Sequence, residues 1–349
     1  VMIGEGKATY QGETLDGAEA LKRAGLKPVV LSSKEGLILL SGTTSVTAFA
    51  SLAIYDAQTL SLTADIAGSF TLEVLKGTLM AMDERLMAVR PHPDQINTAA
   101  NIRAILKDSP MLERYRGHRV QDALSIRCMP QPHGPVKKAI KDAQATLAIE
   151  LNSSVDNPLI FDEEDGGAVA LMGCNADGTY AGMASDNLCI AITDLCKMSN
   201  SRIDRLLNSL VSELPAFLNK NADFNNGLMM IQYASAGLQG ELRILAHPAV
   251  VDGAVALMGC NAAKKAYDSM HLAKYILAAE LICDGQALDC YEDKRCAKGT
   301  QAIYDLLRSK VPEMDNDMPL TPYLEAVAQQ IIDRAYIRTV EASVGALKF

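Results

Sequence analysis

Residues 262–288 read AAKKAYDSMHLAKYILAAELICDGQAL, and their apolar side chains return at the spacing of an α-helix. At about 1.5 Å of rise per residue, a helix of this length reaches ~40 Å. Two other stretches show the same periodicity, with an expected interruption of the second at 199–201. Their apolar positions are Val136, Ile140, Ala143, Leu147 and Leu151, and then Leu188, Ile192, Leu195, Ile203, Leu206, Leu207 and Leu210. Because period-two alternation is scarce, we expect a mainly α fold, an elongated bundle of long helices with short loops.

The rest of the chain is organised around these helices. Residues 1–30 are predicted to form a loop and a short helix, which Gly25 ends, and the apolar stretch after Thr44 predicts a buried helix. Proline-rich stretches at 90–93 and 129–135 predict breaks. We therefore expect three regions: 1–60 as a linker, a short helix and the start of the helical core, 61–295 as the central long-helix bundle, and 296–349 as a carboxy-terminal helical segment.

Composition excludes several classes of function. The net charge is −9 and the basic residues are scattered, which argues against a nucleic-acid partner. The apolar runs are too short to cross a bilayer, so no membrane partner is expected. The eight cysteines include no Cys-x-x-Cys pair and are interpreted as buried thiols in a reducing, cytoplasmic compartment. The five histidines include no i, i+4 pair, so no metal site is expected.

Three short stretches carry side chains suited to chemistry. Ser41–Thr44 can present hydroxyls to a ligand or cap a helix, and the cap is favoured on these residues alone. Gln121 and Arg127 place an amide and a guanidinium six residues apart, and a guanidinium can hold a carboxylate with two parallel hydrogen bonds. A structural ion pair at Arg127 explains this stretch equally well. Asn157, in a turn before Pro158, can donate and accept hydrogen bonds at once.

These stretches belong to a series of motifs, running from residue 1 to about residue 290, through which the chain resembles the histidine, phenylalanine and tyrosine ammonia-lyases and aminomutases, over their carboxy-terminal two-thirds. The matching stretches are Gly4–Ala8, Lys34–Thr43, Arg90–Gln95, Val120–Asp122, Ser125–Cys128, Pro130–Gln131, Val155–Leu159, Ala184–Leu188, Glu213–Phe217 and Ala246–Pro248.

The resemblance implies a fumarase/aspartase-like helical fold and an enzyme that removes ammonia from an amino acid to give an α,β-unsaturated acid. It implies a 4-methylidene-imidazol-5-one (MIO) electrophile made from an internal Ala-Ser-Gly, with neither pyridoxal phosphate nor a metal. It also implies a mobile-loop Tyr as the base and a homotetramer whose active sites are shared between subunits. A strong electrophile and a positioned base together address a poor leaving group beside an unacidic proton.

By the same resemblance, three residues match family positions with known tasks. Arg127 matches the residue that clamps the substrate carboxylate, and Gln121 matches the polar partner that orients substrate and cofactor. Asn157 matches an amide that contacts the substrate. We therefore expect Gln121 and Arg127 to be catalytic and Asn157 to bind substrate.

Three further substrate-binding positions depart from the family pattern. Ser41 stands where the family usually has Asn, Leu124 where many members have Tyr, and Ala176 where Phe is usual. The acidic loop expected after His247-Pro248, whose Glu meets the imidazole in histidine-specific members, is also replaced. The resemblance therefore leaves open whether the substrate is His, Phe, Tyr or another amino acid.

Residues 1–349 contain no Ala-Ser-Gly in the family context. We expect the cofactor-forming amino-terminal region to lie outside them, and the chain alone to be inactive. Two alternatives to an ammonia-lyase are kept: an inactive relative or scaffold protein that retains the bundle, and an aminomutase of the same family.

One decamer, GAVALMGCNA, occurs identically at 167–176 and 253–262 between unrelated flanks. No other periodicity accompanies it, so a repeat architecture is not expected. Three origins are open: a local duplication, a loop replacement or an error in the sequence.

Overall fold

The computed structural model describes residues 1–221, 224–251 and 258–349. The chain divides into two compact units, one made of 1–44 with 154–177 and the other of 45–153 with 178–349. Residue 60 lies inside a long helix, and residue 295 lies inside the second unit. The edges of these units therefore do not coincide with the boundaries expected after 60 and 295.

The first unit contains two β-hairpins and two short helices. Its elements are β1 (Lys7–Tyr10), β2 (Glu13–Asp16), α1 (Gly17–Arg23), α2 (Glu35–Ile38), β3 (Leu159–Asp162) and β4 (Ala168–Leu171). Both hairpins are antiparallel, with Lys7 opposite Asp16 and Leu159 opposite Leu171.

The interpretation of 1–30 as a loop and one helix is therefore incomplete, because a hairpin precedes the helix. Its turn residues Gln11 and Gly12 have φ of 49° and 84°. These values are typical of a two-residue turn that matches the strand twist.

The second unit is built mainly from α-helices, with short 3-10 turns at Leu79–Met82 and Ala216–Leu218. In chain order the helices are α3 (Thr44–Val74), α4 (Glu84–Ala88), α5 (Pro93–Ile105), α6 (Pro110–Arg114), α7 (Leu124–Arg127), α8 (Pro130–Glu150), α9 (Thr179–Leu207), α10 (Ser209–Ser212), α11 (Met229–Leu245), α12 (Met258–Asp289), α13 (Lys298–Arg308), α14 (Thr321–Ile332) and α15 (Ala335–Val344). None of the helices in the described part of the chain is long and apolar enough to cross a membrane.

Long helices form the core of this unit. Helix α9 packs against α8, α11 and α12, and α5 packs against α8. A Cβ atom added at Gly182 of α9 would lie only 2.9 Å from the Gly259 Cα of α12. Glycine at both positions therefore permits the backbones of these two helices to approach closely.

One expected helix break is absent, and another is shorter than expected. The break expected at 129–135 is confined to 128–129, between α7 and α8, because α8 begins at Pro130 and contains Pro135. The first N–H groups of a helix need no helical partner, so proline is tolerated at 130 and 132, whereas Pro135 lies inside the helix. Helix α9 continues through 199–201, where the Ser201 hydroxyl donates to the Lys197 carbonyl at 2.8 Å. The break at 90–93 is confirmed between α4 and α5.

A buried ionic cluster joins α3, α5 and α8. The Asp65 carboxylate accepts hydrogen bonds from His133 Nδ1 at 2.8 Å, Lys137 Nζ at 2.5 Å and Asn101 Nδ2 at 2.8 Å. Burial alone would raise the pKa of Asp65, but Lys137 and His133 lower it to about 2. These contacts cross-link the three helices.

The repeated decamer takes different structures in its two copies. In the first copy, 168–171 form β4 and 172–176 continue as a loop. Residues 253–257 of the second copy lie outside the described residues, whereas 258–262 are the first residues of α12. The sequence MGCNA is therefore a loop in one context and a helix in the other, so the flanking chain selects its conformation.

Candidate active site

Residues 121–127, called the clamp segment below, bring two predicted site residues together. Gln121 precedes the short helix α7, whose last residue is Arg127. The Arg127 guanidinium donates through Nη1 to the Gln121 side-chain carbonyl. Leu124 lies on the same turn and is 63% exposed. The segment thus presents a cation, an amide and an apolar side chain together, and the ion pair considered for Arg127 is replaced by an amide contact.

A buried carboxylate anchors the first half of the clamp segment. Asp122 is buried and accepts a hydrogen bond from the Thr78 backbone N–H at 2.8 Å. Burial raises the pKa of Asp122, and this effect is opposed by the Thr78 hydrogen bond and by the charges of Arg119, Arg205 and Arg127. Three guanidinium groups therefore act electrostatically on one carboxylate.

A second carboxylate, Glu213, gathers further cations. It lies 2.8 Å from Lys76 Nζ, 2.9 Å from His118 Nε2 and 3.2 Å from Arg119 Nη2. The hydrogen bond from Lys76 is the main cause that lowers the pKa of Glu213 to about 2, with His118 adding to it. Glu213 is therefore ionised at neutral pH.

These groups form what we call the basic cluster: the cations Lys76, Arg119, Arg127 and Arg205 with the carboxylates Asp122 and Glu213. Cations outnumber carboxylates in it, even with His118 neutral. The Nε atoms of Arg119 and Arg205 are buried and have no hydrogen-bond partner in the described part of the chain. Such a cluster favours an added anion.

A cavity of about 840 Å³ lies beside the cluster. Its walls carry both signs of charge and apolar groups such as Leu112. The basic lining residues are Lys76, Arg116, His118 and Arg119, and the acidic ones are Asp83, Asp108, Glu113 and Asp122. Its size is that of a small-molecule site, and its walls combine charged and apolar groups. Gln121 and Arg127 are not among its lining residues.

The other three predicted site residues, Ser41, Asn157 and Ala176, lie in the first unit on neighbouring segments. A Cβ atom added at Gly42, beside Ser41, would lie 2.6 Å from the Val155 carbonyl oxygen, two residues before Asn157. Asn175, beside Ala176, donates to the Ser154 carbonyl at 3.4 Å.

An ion pair fixes the loop that carries Asn157. Lys34 Nζ lies 2.7 Å from the Asp156 carboxylate, and it also donates to the Pro158 carbonyl. The hydrogen bond from Lys34 lowers the pKa of Asp156. The first unit therefore brings Ser41, Asn157 and Ala176 into one neighbourhood, as the second unit does for Gln121, Leu124 and Arg127.

Sequence reasoning missed the buried pair formed by Arg202 of α9 and Glu280 of α12. Both side chains are fully buried, and Arg202 Nη2 donates to Glu280 at 3.0 Å. A detectable signal was present, since each charged residue interrupts an apolar stripe, Arg202 before Ile203 and Glu280 before Leu281. Charged residues are rarely buried unless they are paired.

The family model of aromatic amino acid lyases matches residues 1–309. The chain belongs to the aromatic amino acid lyase family. A histidine ammonia-lyase of Alkaliphilus oremlandii is 40% identical over 352 residues, which cover 99% of this chain and 69% of that protein. A second, from Alkaliphilus metalliredigens, is 41% identical over 99% of this chain and 69% of its own length.

Solved structures of this lyase family share the fold. The crystal structure of histidine ammonia-lyase from Trypanosoma cruzi has a TM-score of 0.89 at 31% identity, covering 98% of this chain and 67% of that chain. Tyrosine aminomutase from Streptomyces globisporus has a TM-score of 0.91 at 28% identity, covering 99% of this chain and 71% of that chain. The predicted family and the mainly α, fumarase/aspartase-like fold are confirmed.

This aromatic amino acid lyase is a carbon–nitrogen lyase of the ammonia-lyase type, as its relatives at about 40% identity establish. In the described residues, no group of three or more His, Cys, Asp and Glu side chains is placed to hold a metal ion.

Proposed function

We propose that the natural protein containing this chain removes ammonia from L-histidine, giving urocanate, and that Arg127 holds the substrate carboxylate. The observation that carries the proposal is the Arg127 guanidinium, aligned by the Gln121 amide within a cluster of excess positive charge. The relatives named histidine ammonia-lyase, at 40–41% identity, favour histidine as the substrate.

The chemistry of the clamp segment suits an α-amino acid. One guanidinium edge of Arg127 contacts Gln121, which leaves other N–H groups for a carboxylate. A half-buried position strengthens this interaction relative to bulk water. Arg127 is thus assigned to the carboxylate and Gln121 to holding the orientation of that guanidinium.

The remaining assignments follow from family position. Ser41, Asn157 and Ala176 would contact the substrate, and Leu124 would offer an apolar surface where many relatives have a Tyr. The small Ser41 and Ala176 side chains leave more room than the usual Asn and Phe. This favours a substrate pocket that differs in shape from the family pattern.

The MIO electrophile is proposed for the natural protein, where it would activate the amino group as a leaving group. The donor set of the clamp segment fits a substrate carboxylate, whereas residues 1–349 contain no Ala-Ser-Gly from which MIO could form. We therefore assign no residue of this chain to making it. We also propose that the natural protein is a homotetramer and that its substrate is an amino acid.

Two alternatives to an ammonia-lyase are an aminomutase and an inactive relative, and assays of the reaction products distinguish them. An aminomutase is favoured by the likeness to the Streptomyces globisporus tyrosine aminomutase, with its TM-score of 0.91. An inactive relative is favoured by Ser41, Leu124 and Ala176, which depart from the family pattern, and by the replaced acidic loop after Pro248.

The intact natural protein would be incubated separately with L-histidine, L-phenylalanine and L-tyrosine. Ultraviolet absorbance measures urocanate, cinnamate and coumarate, and chromatography measures β-amino acids. We expect urocanate to form with stoichiometric ammonia. A β-amino acid as the main product would establish the aminomutase, and no turnover of any substrate would contradict both enzyme functions.

A further inference from the structure

The Arg202 guanidinium connects the buried core to the clamp segment. Its Nη1 donates to the Ser125 backbone carbonyl at 3.3 Å, two residues before Arg127. Its Nε and Nη2 donate to the Glu280 carboxylate, the second at 3.0 Å. One fully buried side chain thus joins α12 to the backbone of α7.

Neighbouring helices fix the orientation of this guanidinium. Glu280 accepts a further hydrogen bond from the Ser199 hydroxyl of α9, and the Thr71 hydroxyl of α3 lies 3.0 Å from Glu280 and 2.7 Å from Asp284. Gly68 of α3 lies beside this guanidinium: a Cβ atom added there would overlap the Met129 sulfur and would lie 3.4 Å from the Arg202 guanidinium carbon. The pair therefore sits in a site built by three helices, and its bidentate geometry restricts rotation.

We propose that Arg202 is a positioning residue for Arg127. It holds the Ser125 carbonyl, and so the turn of α7, in the orientation that presents Arg127 to the substrate carboxylate. The Thr78 N–H bond to Asp122 holds the other half of the clamp segment. This inference rests on the proposed function, since it requires Arg127 to bind the carboxylate.

Arg202→Lys removes the fork that reaches Glu280 and Ser125 together while it keeps the buried charge. A displacement of about 1 Å at a substrate-orienting group lowers rates by about 100-fold, so we expect kcat/KM to fall by about 10- to 100-fold. The loss should disappear when Arg127 is already absent, because Arg202 then has no clamp to orient.

The test is a double-mutant cycle in the intact natural protein. Arg202→Lys, Arg127→Ala and the double variant are compared with wild type in kcat/KM for L-histidine and in the dissociation constant of urocanate. Asp65→Asn serves as the matched control, because it breaks an equally buried ion pair that contacts α5 and α8 rather than the clamp segment. Melting temperatures ensure that all assays are run on folded protein.

The expected result is that the double variant equals Arg127→Ala, while Arg202→Lys alone weakens urocanate binding and Asp65→Asn leaves it within about twofold of wild type. Multiplicative losses in the double variant would overturn the positioning role and leave the clamp intact. An Arg127→Ala variant that behaves like wild type would instead overturn the clamp itself.

If Arg202→Lys does not fold, the paired variant Arg202→Met with Glu280→Gln replaces it, because it removes both charges of the pair at once. The neighbouring buried carboxyl of Asp284, whose pKa burial raises, is left in place. When this paired variant is combined with Arg127→Ala, kcat/KM is again expected to equal that of Arg127→Ala alone. Urocanate binding equal to that of wild type in this paired variant would overturn the proposal.

Discussion

A methyl group added at Gly134 tests how closely α8 must approach α5. Gly134 is buried, and an ideal Cβ atom there would lie 2.8 Å from the Gln95 backbone nitrogen and 3.0 Å from the Gln95 Cα. Both atoms belong to backbone, so no side chain can rotate away. Gly134→Ala therefore forces the two helices apart.

The magnitude follows from two opposing effects. Overpacking of this kind costs about 2–3 kcal/mol when backbone must move. Alanine in a helix interior recovers about 1 kcal/mol relative to glycine. We expect a net loss of about 1–2 kcal/mol in the free energy of unfolding.

The matched control is Gly237→Ala in α11, where no atom lies within 4 Å of the added Cβ. That change should stabilise the protein by about 0.5–1 kcal/mol through helix propensity alone. Urea unfolding followed by far-ultraviolet circular dichroism measures both variants. A Gly134→Ala protein as stable as Gly237→Ala would refute the close approach of α8 to α5.

Three further predictions concern buried ionisable groups. Because the pKa of Asp65 is lowered to about 2, its ionised form stabilises the protein by about 2 kcal/mol above about pH 4, and this contribution is lost as the pH falls towards 2. The urea unfolding midpoint of wild type should therefore fall over that pH range, whereas the midpoint of Asp65→Asn should change less. Burial raises the pKa of Glu73, so its ionisation at higher pH destabilises the protein. The stability of Glu73→Gln relative to wild type should therefore increase from about pH 5 to about pH 8. The same difference in free energy of unfolding between the two proteins at both pH values would contradict this. Iodoacetamide should alkylate the exposed Cys174 in the native protein and spare Cys196, whose pKa burial raises, as peptide mass spectrometry would detect; equal labelling of both would contradict the burial.

The long helices are predictable because apolar periodicity reports burial directly. The start of α8 was not, because prolines at 130, 132 and 135 suggest a loop, whereas most of them occupy the first turn, where an N–H is not needed. The β1–β2 hairpin was missed because its turn pairs Gly12 with Gln11, which lacks the usual preference of Asn or Asp for positive φ.

The repeated decamer shows the limit of local reasoning. The same five residues form a loop at 172–176 and a helical turn at 258–262. Gly259 in the helical copy lies against Gly178. A Cβ atom added at Gly259 would lie 2.7 Å from the Gly178 carbonyl oxygen. Tertiary packing of this kind is not encoded in the decamer itself.

For the candidate site, motif order predicted the residues that share a neighbourhood, and the structure places Gln121 against Arg127. The contacts that hold them were not predictable in the same way. Arg202 and Glu280 are separated by 78 positions, and only the packing of α9 on α12 reveals that they pair. Spacing along the chain identifies a motif, whereas its support depends on distant residues.

The central claim is that Arg127 binds the carboxylate of an amino acid undergoing ammonia elimination. Its most direct test is kcat/KM for L-histidine in the intact natural protein, comparing wild type with Arg127→Ala and with Arg127→Lys, which keeps the charge but loses the fork. We expect Arg127→Ala to lose about 2–5 kcal/mol of transition-state stabilisation, a fall of about 30-fold to several thousand-fold, with Arg127→Lys in between. An Arg127→Ala enzyme within a factor of about three of wild type would contradict the account.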